Sequence, residues 1–241
     1  MQSLSEQGYI QQLSIDCVIF GYQQKQLKVL VPKLHFKGDF WALPSGFVFQ
    51  NEDTDEAARR ILEDRTGINE IYLEQFQVMG KAGRNSRAFL DRLLELNPEK
   101  LDAKQRQRKE YEWFTQRFIS ISYYALVDLH QVLPKKHIVD DAIRWFDIQE
   151  IPPLIMDHNQ IVNKALETLR ADLDRKSIAF NLLPETFTMK DVQDLYETIL
   201  EKSFAANNFP KKILDLNVLE RLDKKFTGAA NKAPYLYRFR P

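Results

Sequence analysis

The residues best placed to do chemistry lie between Gly46 and Ile68, where Glu52, Arg60, Asp64 and Arg65 are interleaved with apolar positions. Read as a helix over residues 54–66, positions 61, 64 and 65 share one face at three- and four-residue spacing. Three carboxylates so placed would converge on magnesium, which takes about six oxygens at roughly 2.0 to 2.1 Å. Here Ile61 offers no lone pair and Asp64 is a single short carboxylate. Arg65 carries a positive charge that it cannot shed, its pKa lying above about 12. The pattern predicts no metal ligands, no catalytic residues and no cofactor. Glu52 and Arg60 can still pair to brace the loop before the helix, with Gly46 and Gly67 supplying backbone freedom at its two ends. A plainer reading of Ala57, Ala58, Ile61 and Leu62 is the core stripe of an ordinary amphipathic helix.

A second group of functional residues lies near the C-terminus. Residues 205–241 hold eight basic side chains against three acidic ones, on a chain whose 34 basic and 34 acidic residues otherwise cancel. Thr188 to Asp191 opens a helix in capping-box style, and Val192, Leu195, Tyr196, Ile199 and Leu200 give it an apolar stripe. A turn at 203–207 leads to a second helix capped by Asn208, with Pro210 in its first turn and Ile213, Leu214 and Leu216 on its inner face. Strands at 218–222 and 235–240, joined by a basic loop at 223–234, complete a winged helix-turn-helix. Such folds read bases with the N-terminal part of the second helix, which here holds Asn208, Lys211 and Lys212. Lys224, Lys225 and Lys232 on the wing loop suit phosphates. The alternative is a small helical dimerisation domain whose lysines are merely solvated.

The elements that must position these groups are legible along the 241 residues. Strands are expected at 14–20 and 26–30, joined through a hairpin loop at 21–25, and again at 71–79, 117–129 and 144–148, with a helix over 157–173. A mixed sheet with helices on its faces buries them. The expected division is a sheet domain over 1–174 and a winged helix over 175–241. Segment 83–116 interrupts the apolar pattern with charge and reads as an insertion with short helices at 88–96 and 101–113. It is either a lid or dimer contact, or a solvated loop. The lone Cys17 makes an intrachain disulfide impossible. No basic leader precedes an apolar run and nowhere do about 18 apolar residues follow one another, so a cytoplasmic protein with no membrane partner is expected. His35, His130, His137 and His158 show no ligand spacing and read as structural or exposed.

Gly46, Glu52, Arg60, Leu62, Gly67 and Ile68, with 40–48 leading in, resemble the Nudix box, whose three magnesium-binding glutamate positions hold Ile61, Asp64 and Arg65 here. Phe180 to Pro184, Phe187-Thr188, Leu195 to Glu197, Asn208-Phe209, Lys212-Ile213 and Leu236 to Phe239 resemble the winged helix of the Nudix-related transcriptional regulators, the NrtR family. Residues 15–21 and 155–158 also fit that pattern, whereas 83–116 and Ser45 depart from it. The resemblance implies an α/β fold, a Nudix-like mixed sheet followed by a winged helix. It implies a ligand-responsive repressor, a homodimer on a double-stranded operator, whose non-catalytic Nudix-like domain senses a small-molecule effector near Trp41, Phe47, Phe49 and Glu52. Trp41 reads equally well as core. Both branches remain open for the effector: an ADP-ribose-type nucleotide, or a sugar such as arabinose. The alternative function is an active hydrolase of nucleoside-diphosphate-linked substrates, its site rebuilt from Glu52, Asp64 and Glu110 or Glu112.

Overall fold

The computed structural model describes residues 8–99, 109–173, 177–205, 207–225 and 233–240. A sheet of six strands is built from β1 (Tyr9–Gln23), β2 (Gln26–Leu34), β3 (Ser45–Phe49), β4 (Tyr72–Met79), β5 (Ile119–Asp128) and β6 (Asp140–Asp147). The order is β4-β5-β1-β2-β6, with β3 pairing β1 off this path. β1 and β5 run parallel from Leu13↔Ile119 to Tyr22↔Asp128, and the other pairs are antiparallel.

Helix α1 (Thr54–Thr66) covers one face of this sheet and α4 (His158–Asp172) the other. That sandwich explains why the central strands are apolar at nearly every position rather than at alternate ones. Ile15, Cys17 and Ile19 of β1 point to the α1 side, where they meet Ala57, Ala58, Ile61 and Leu62. Val18 and Phe20 point the other way, into a cluster with Ile161, Val162, Ala165 and Leu169 of α4. Tyr123 and Ala125 against Tyr124 and Leu126 repeat this alternation on β5.

The β1–β2 hairpin is tighter than expected. Both strands run on to a two-residue turn at Gln24 and Lys25, whose φ of +52° and +60° match a turn with two left-handed central residues. Strand β3 was not expected at all.

Beyond the sheet, a 3-10 turn (Ile178–Leu182) and the two-residue β7 (Phe187–Thr188) lead to α5 (Met189–Leu200) and α6 (Phe209–Leu214). Strands β8 (Leu219–Lys224) and β9 (Tyr235–Phe239) follow, in a three-stranded sheet of order β7-β9-β8. Thr188 caps α5 by accepting from the Asp191 N–H at 3.2 Å while Asp191 accepts from the Thr188 N–H at 2.8 Å. The expected boundary between residues 174 and 175 lies outside the described residues. On either side of it the cores are continuous: Val192, Leu195, Tyr196, Ile199, Phe209 and Ile213 belong to the same buried cluster as Phe20 and Tyr124. No described helix is long and apolar enough to cross a membrane.

The segment over 83–116 forms α2 (Arg87–Leu96) and α3 (Lys109–Thr115), and the start of the helix expected at 101–113 lies outside the described residues. Where described, the segment is not a solvated loop. Arg84, Leu93, Asn97 and Trp113 are all buried. Asn97 is fully enclosed and satisfied, its Nδ2 donating to Lys37 O and Leu93 O and its Oδ1 accepting from the Lys37 N–H at 2.7 Å. That ties α2 to the chain just after β2.

Candidate functional site

The loop between β3 and α1 is held by one ion pair. Glu52 accepts from Arg60 Nη2 at 2.6 Å, from Arg60 Nε at 3.0 Å and from the Phe49 N–H at 2.8 Å. Arg60 in turn donates to Phe47 O at 2.9 Å and lies over the Phe49 ring. The guanidinium holds the Glu52 carboxyl below its ordinary pKa. Gly46 lets β3 approach α1, since a Cβ there would come within 2.8 Å of Ile61 Cδ1. Gly67, at φ +74°, closes α1 in the left-handed conformation that favours glycine, its N–H bonded to Glu63 O at 2.8 Å.

Positions 61, 64 and 65 do not all face one way. Ile61 is buried beneath Gly46, Asp64 is exposed, and Arg65 is buried. Arg65 Nη1 donates to Asp140 Oδ2 at the start of β6, and the same oxygen accepts from the His137 N–H. Two of the three positions therefore supply no oxygen, and the one carboxylate points to solvent. Among the described residues no three His, Cys, Asp or Glu side chains come together as a cation site. This donor set does not suit magnesium, which is held by converging oxygens.

Arg65 and Asp140 line an open cavity of about 520 Å³ bordered by β1, β2, β3, α1, α2, α3 and β6. Its walls are largely apolar and include Phe36, Phe47, Phe89, Phe114 and Phe118. Trp113 braces this wall, its ring edge-on to Phe47 and Phe118 at 5.0 Å and its Nε1 donating to Gln11 Oε1 at 2.6 Å. A buried polar network also reaches the cavity. Arg84 binds Asp157 through Nε at 2.9 Å and Nη2 at 3.1 Å, and reaches Asp16 Oδ2 at 3.2 Å, which also accepts from Ser120 Oγ at 2.5 Å. His158 Nδ1 accepts from the Leu43 N–H at 2.9 Å, so a neutral ring keeps its proton on Nε2, 3.8 Å from Asp16 Oδ1. Burial holds the His158 pKa below its usual value despite the pull of Asp16 and Asp157.

Of the four residues expected near an effector, Phe47 lines this cavity. Trp41 lies in the core instead, edge-on to Phe146 at 4.9 Å, because its register opposite Lys33 turns the ring toward the β2–β6 side. Phe49 and Glu52 belong to the Arg60 brace. Glu110 lines the cavity, whereas Asp64 does not. Asp16, Arg84 and Asp140 were not anticipated. An acid in the middle of an apolar strand is a readable signal for Asp16, since a buried charge needs partners. Nothing in the charge-rich segment marks Arg84.

At the C-terminal end, Asn208, Lys211, Lys224 and Lys225 are exposed. Asn208 precedes α6, but its side chain makes no capping bond; the backbone carries the turn, with the Lys212 N–H bonded to Asn208 O at 3.1 Å. Leu214, expected inside, is 45% exposed, because α6 is a single short helix with Phe209 and Ile213 facing inward. The Lys212 ammonium lies 5.6 Å from the ring centres of both Tyr196 and Phe204. Arg238 and Arg240 converge on Glu220 at 2.7 and 3.4 Å, so the local excess of positive charge rests mainly on the lysines. Lys232 lies outside the described residues.

The molecule thus joins a helix-covered mixed sheet that holds a ligand-sized cavity to a winged helix that displays exposed lysines, a fold of the DNA-binding class. Residues 11–167 match the NUDIX domain and residues 179–239 the NrtR DNA-binding winged helix domain, so the chain belongs to the Nudix family and carries the NrtR winged helix. It is 25% identical over 238 residues, 94% of this chain and 81% of the relative, to the ADPR responsive transcriptional repressor NtrR of Acinetobacter baylyi. A shorter match, 29% over 127 residues and 66% of the relative, is to the RNA pyrophosphohydrolase of Caulobacter vibrioides. In fold the chain resembles Shewanella oneidensis NrtR solved with a 27mer DNA, with a TM-score of 0.71 at 23% identity over 95% of this chain and 94% of that one.

Proposed function

We propose that this protein is a transcriptional repressor that holds operator DNA through its winged helix and releases it when an ADP-ribose-type nucleotide enters the cavity beside α1. The observation that carries this reading is the Arg65–Asp140 pair, which puts a neutralised guanidinium where hydrolysis would need a metal-binding carboxylate. The cavity binds without magnesium and without turnover, so occupancy reports the concentration of its ligand. The aromatic wall of Phe47, Phe89 and Phe114 supports a nucleotide over a free pentose, because it offers faces for a base and a pentose would fill little of about 520 Å³. The name of the Acinetobacter relative, which matches along nearly the whole chain, supports the same effector. The working form is a homodimer, whose two-fold symmetry matches a two-fold operator. For release, the effector must bind the DNA-incompetent arrangement more tightly, by about 1.4 kcal/mol for each tenfold loss of DNA affinity.

The test measures fluorescence anisotropy of a labelled duplex from the promoter of the neighbouring genes. ADP-ribose should release the duplex, while L-arabinose and ADP at equal concentration should not. Release by arabinose alone would transfer the chain to the sugar reading. Magnesium-dependent cleavage of ADP-ribose at about 1 per second or faster, an ordinary enzyme rate, would overturn the non-catalytic reading.

A further inference from the structure

The wing of the C-terminal domain sorts its basic residues onto two faces. Glu220 and Arg221 are neighbours in β8 and so point to opposite sides of the sheet. Glu220 lies opposite Arg238 in register, and on that side Arg238 and Arg240 share its carboxylate. On the other side Arg221 lies opposite Tyr237, and past a bulge in β8 Lys224 lies opposite Tyr235. Here both cations gather on one ring: the Arg221 guanidinium is 4.5 Å and the Lys224 ammonium 5.3 Å from the Tyr235 ring centre. This side packs through Tyr237 and Phe239 on the core cluster that holds Val192 and Tyr196 of α5, so it is the side turned toward the helix-turn-helix.

The two faces differ in their counter-charge. Among the described residues no carboxylate pairs with Arg221 or Lys224, not even the adjacent Asp223, and the sequence over 226–232 contains neither Asp nor Glu. Like charges held on one ring repel, and an anion between them removes that repulsion, as Glu220 does for Arg238 and Arg240. A guanidinium stacked on a ring face keeps its N–H edge free for an oxyanion. The hydroxyl of the exposed Tyr235 has no partner among the described residues and can donate to the same anion. DNA backbone phosphates accept from arginine, lysine and tyrosine alike. We infer that Arg221, Lys224 and Tyr235 form a seat for one backbone phosphate of duplex DNA. The Tyr235 ring holds both cations and its hydroxyl donates to the phosphate, while Arg238 and Arg240 take no part. The inference rests on the winged helix binding DNA, and it adds Arg221 and Tyr235 to the wing lysines as contact residues.

The experiment titrates the full chain and its variants into two labelled duplexes, one from the promoter of the neighbouring genes and one of scrambled sequence, over a series of potassium chloride concentrations. Arg221→Ala should weaken binding to both duplexes by about fivefold or more and lower the salt slope by about 1, because a phosphate contact carries no sequence information and releases counterions. Tyr235→Phe keeps the ring beneath the cations and removes only the hydroxyl. It should weaken binding to both duplexes by about threefold or more at an unchanged slope, since a neutral donor releases no counterion. Arg238→Ala, on the other face, should leave affinity and slope nearly unchanged. All three residues are exposed, so the variants should fold, which circular dichroism would check. Arg221→Ala without loss of slope, or Tyr235→Phe without loss of affinity, would overturn the seat and leave the repressor reading standing. An equal loss of slope in Arg238→Ala would also overturn it, by making the effect one of total wing charge. A loss confined to the promoter duplex would make Arg221 a base reader instead. A wild type that binds neither duplex would overturn the DNA-binding reading together with the seat.

Discussion

The buried charges around the cavity are valuable in pairs and costly alone. Removing one member of a buried pair leaves the other uncompensated in a poor solvent for charge, so Asp140→Ala should cost about 3 to 5 kcal/mol in urea unfolding. His158 adds a pH dependence whose sign follows from its lowered pKa. The unfolded chain binds this proton near the ordinary histidine value of about 6.5, while the fold resists it. The contribution of His158 is thus fully present above that value and declines as pH falls through it toward the folded pKa, at up to about 1.4 kcal/mol per pH unit. His158→Asn should flatten this limb of the stability profile, and an unchanged limb would assign it to other groups. The contrast between what was legible and what was not has a physical origin at this scale. Glu52 and Arg60 lie eight residues apart across a single loop, so their spacing announces the pair. Arg65 and Asp140 are 75 residues apart, and Arg84 and Asp16 are 68. Only the sheet brings those partners together, and one chain read without its fold has no signal for which residues pair.

Elements whose stripes repeat at helical or strand spacing were readable, because burial on one or two sheet faces imposes that repeat directly. Helices α1, α4 and α5 follow from their apolar positions, and the Thr188–Asp191 box marks where α5 begins. Replacing Thr188 by Ala should cost about 1 kcal/mol of stability by thermal or urea unfolding, since the Asp191 N–H loses its side-chain acceptor while the Thr188 N–H keeps the Asp191 carboxylate. A loss below a few tenths would mean that the backbone alone holds this end. Strand β3 escaped because its five residues are mostly half-buried and include Gly46, so alternation is hardly visible. The hairpin is legible in the sequence, but its two-residue turn is not. Gly21 looked like the turn but continues β1 against Lys28, while Gln24 and Lys25 adopt the left-handed conformations without glycine or asparagine. In segment 83–116, charge density pointed to solvent, yet a few apolar residues and Asn97 were enough to build a wall of the cavity.

At the scale of the whole molecule, the sheet domain and the winged helix share one buried cluster, and contacts across their junction are numerous and specific. Lys25 in the β1–β2 turn pairs with Asp194 at 3.2 Å, Arg170 of α4 donates to Ile199 O at 2.7 Å, and Gln149 donates to Glu201 at 2.8 Å. An effector that alters the cavity thus acts on a winged helix seated on the same core, and the two parts should unfold together. Scanning calorimetry should give one transition, with a calorimetric enthalpy equal to the van't Hoff value, whereas two resolved transitions would show independent units. DNA binding then separates the lysines by environment. Each lysine that neutralises a phosphate releases counterions, so its loss should reduce the salt slope of binding by about 1. Lys211 and Lys225 are exposed, and their alanine variants should each show that change, whereas the exposed Lys224 also lies 5.3 Å from the Tyr235 ring centre and its variant should lose stability as well. Lys212 differs, because its ammonium lies over Tyr196 and Phe204, where a cation contributes about 0.5 to 1 kcal/mol to the fold. Lys212→Ala should therefore lower thermal stability and leave the salt slope nearly unchanged; a full unit of slope lost without loss of stability would place Lys212 on a phosphate and shift the DNA contact toward the centre of α6.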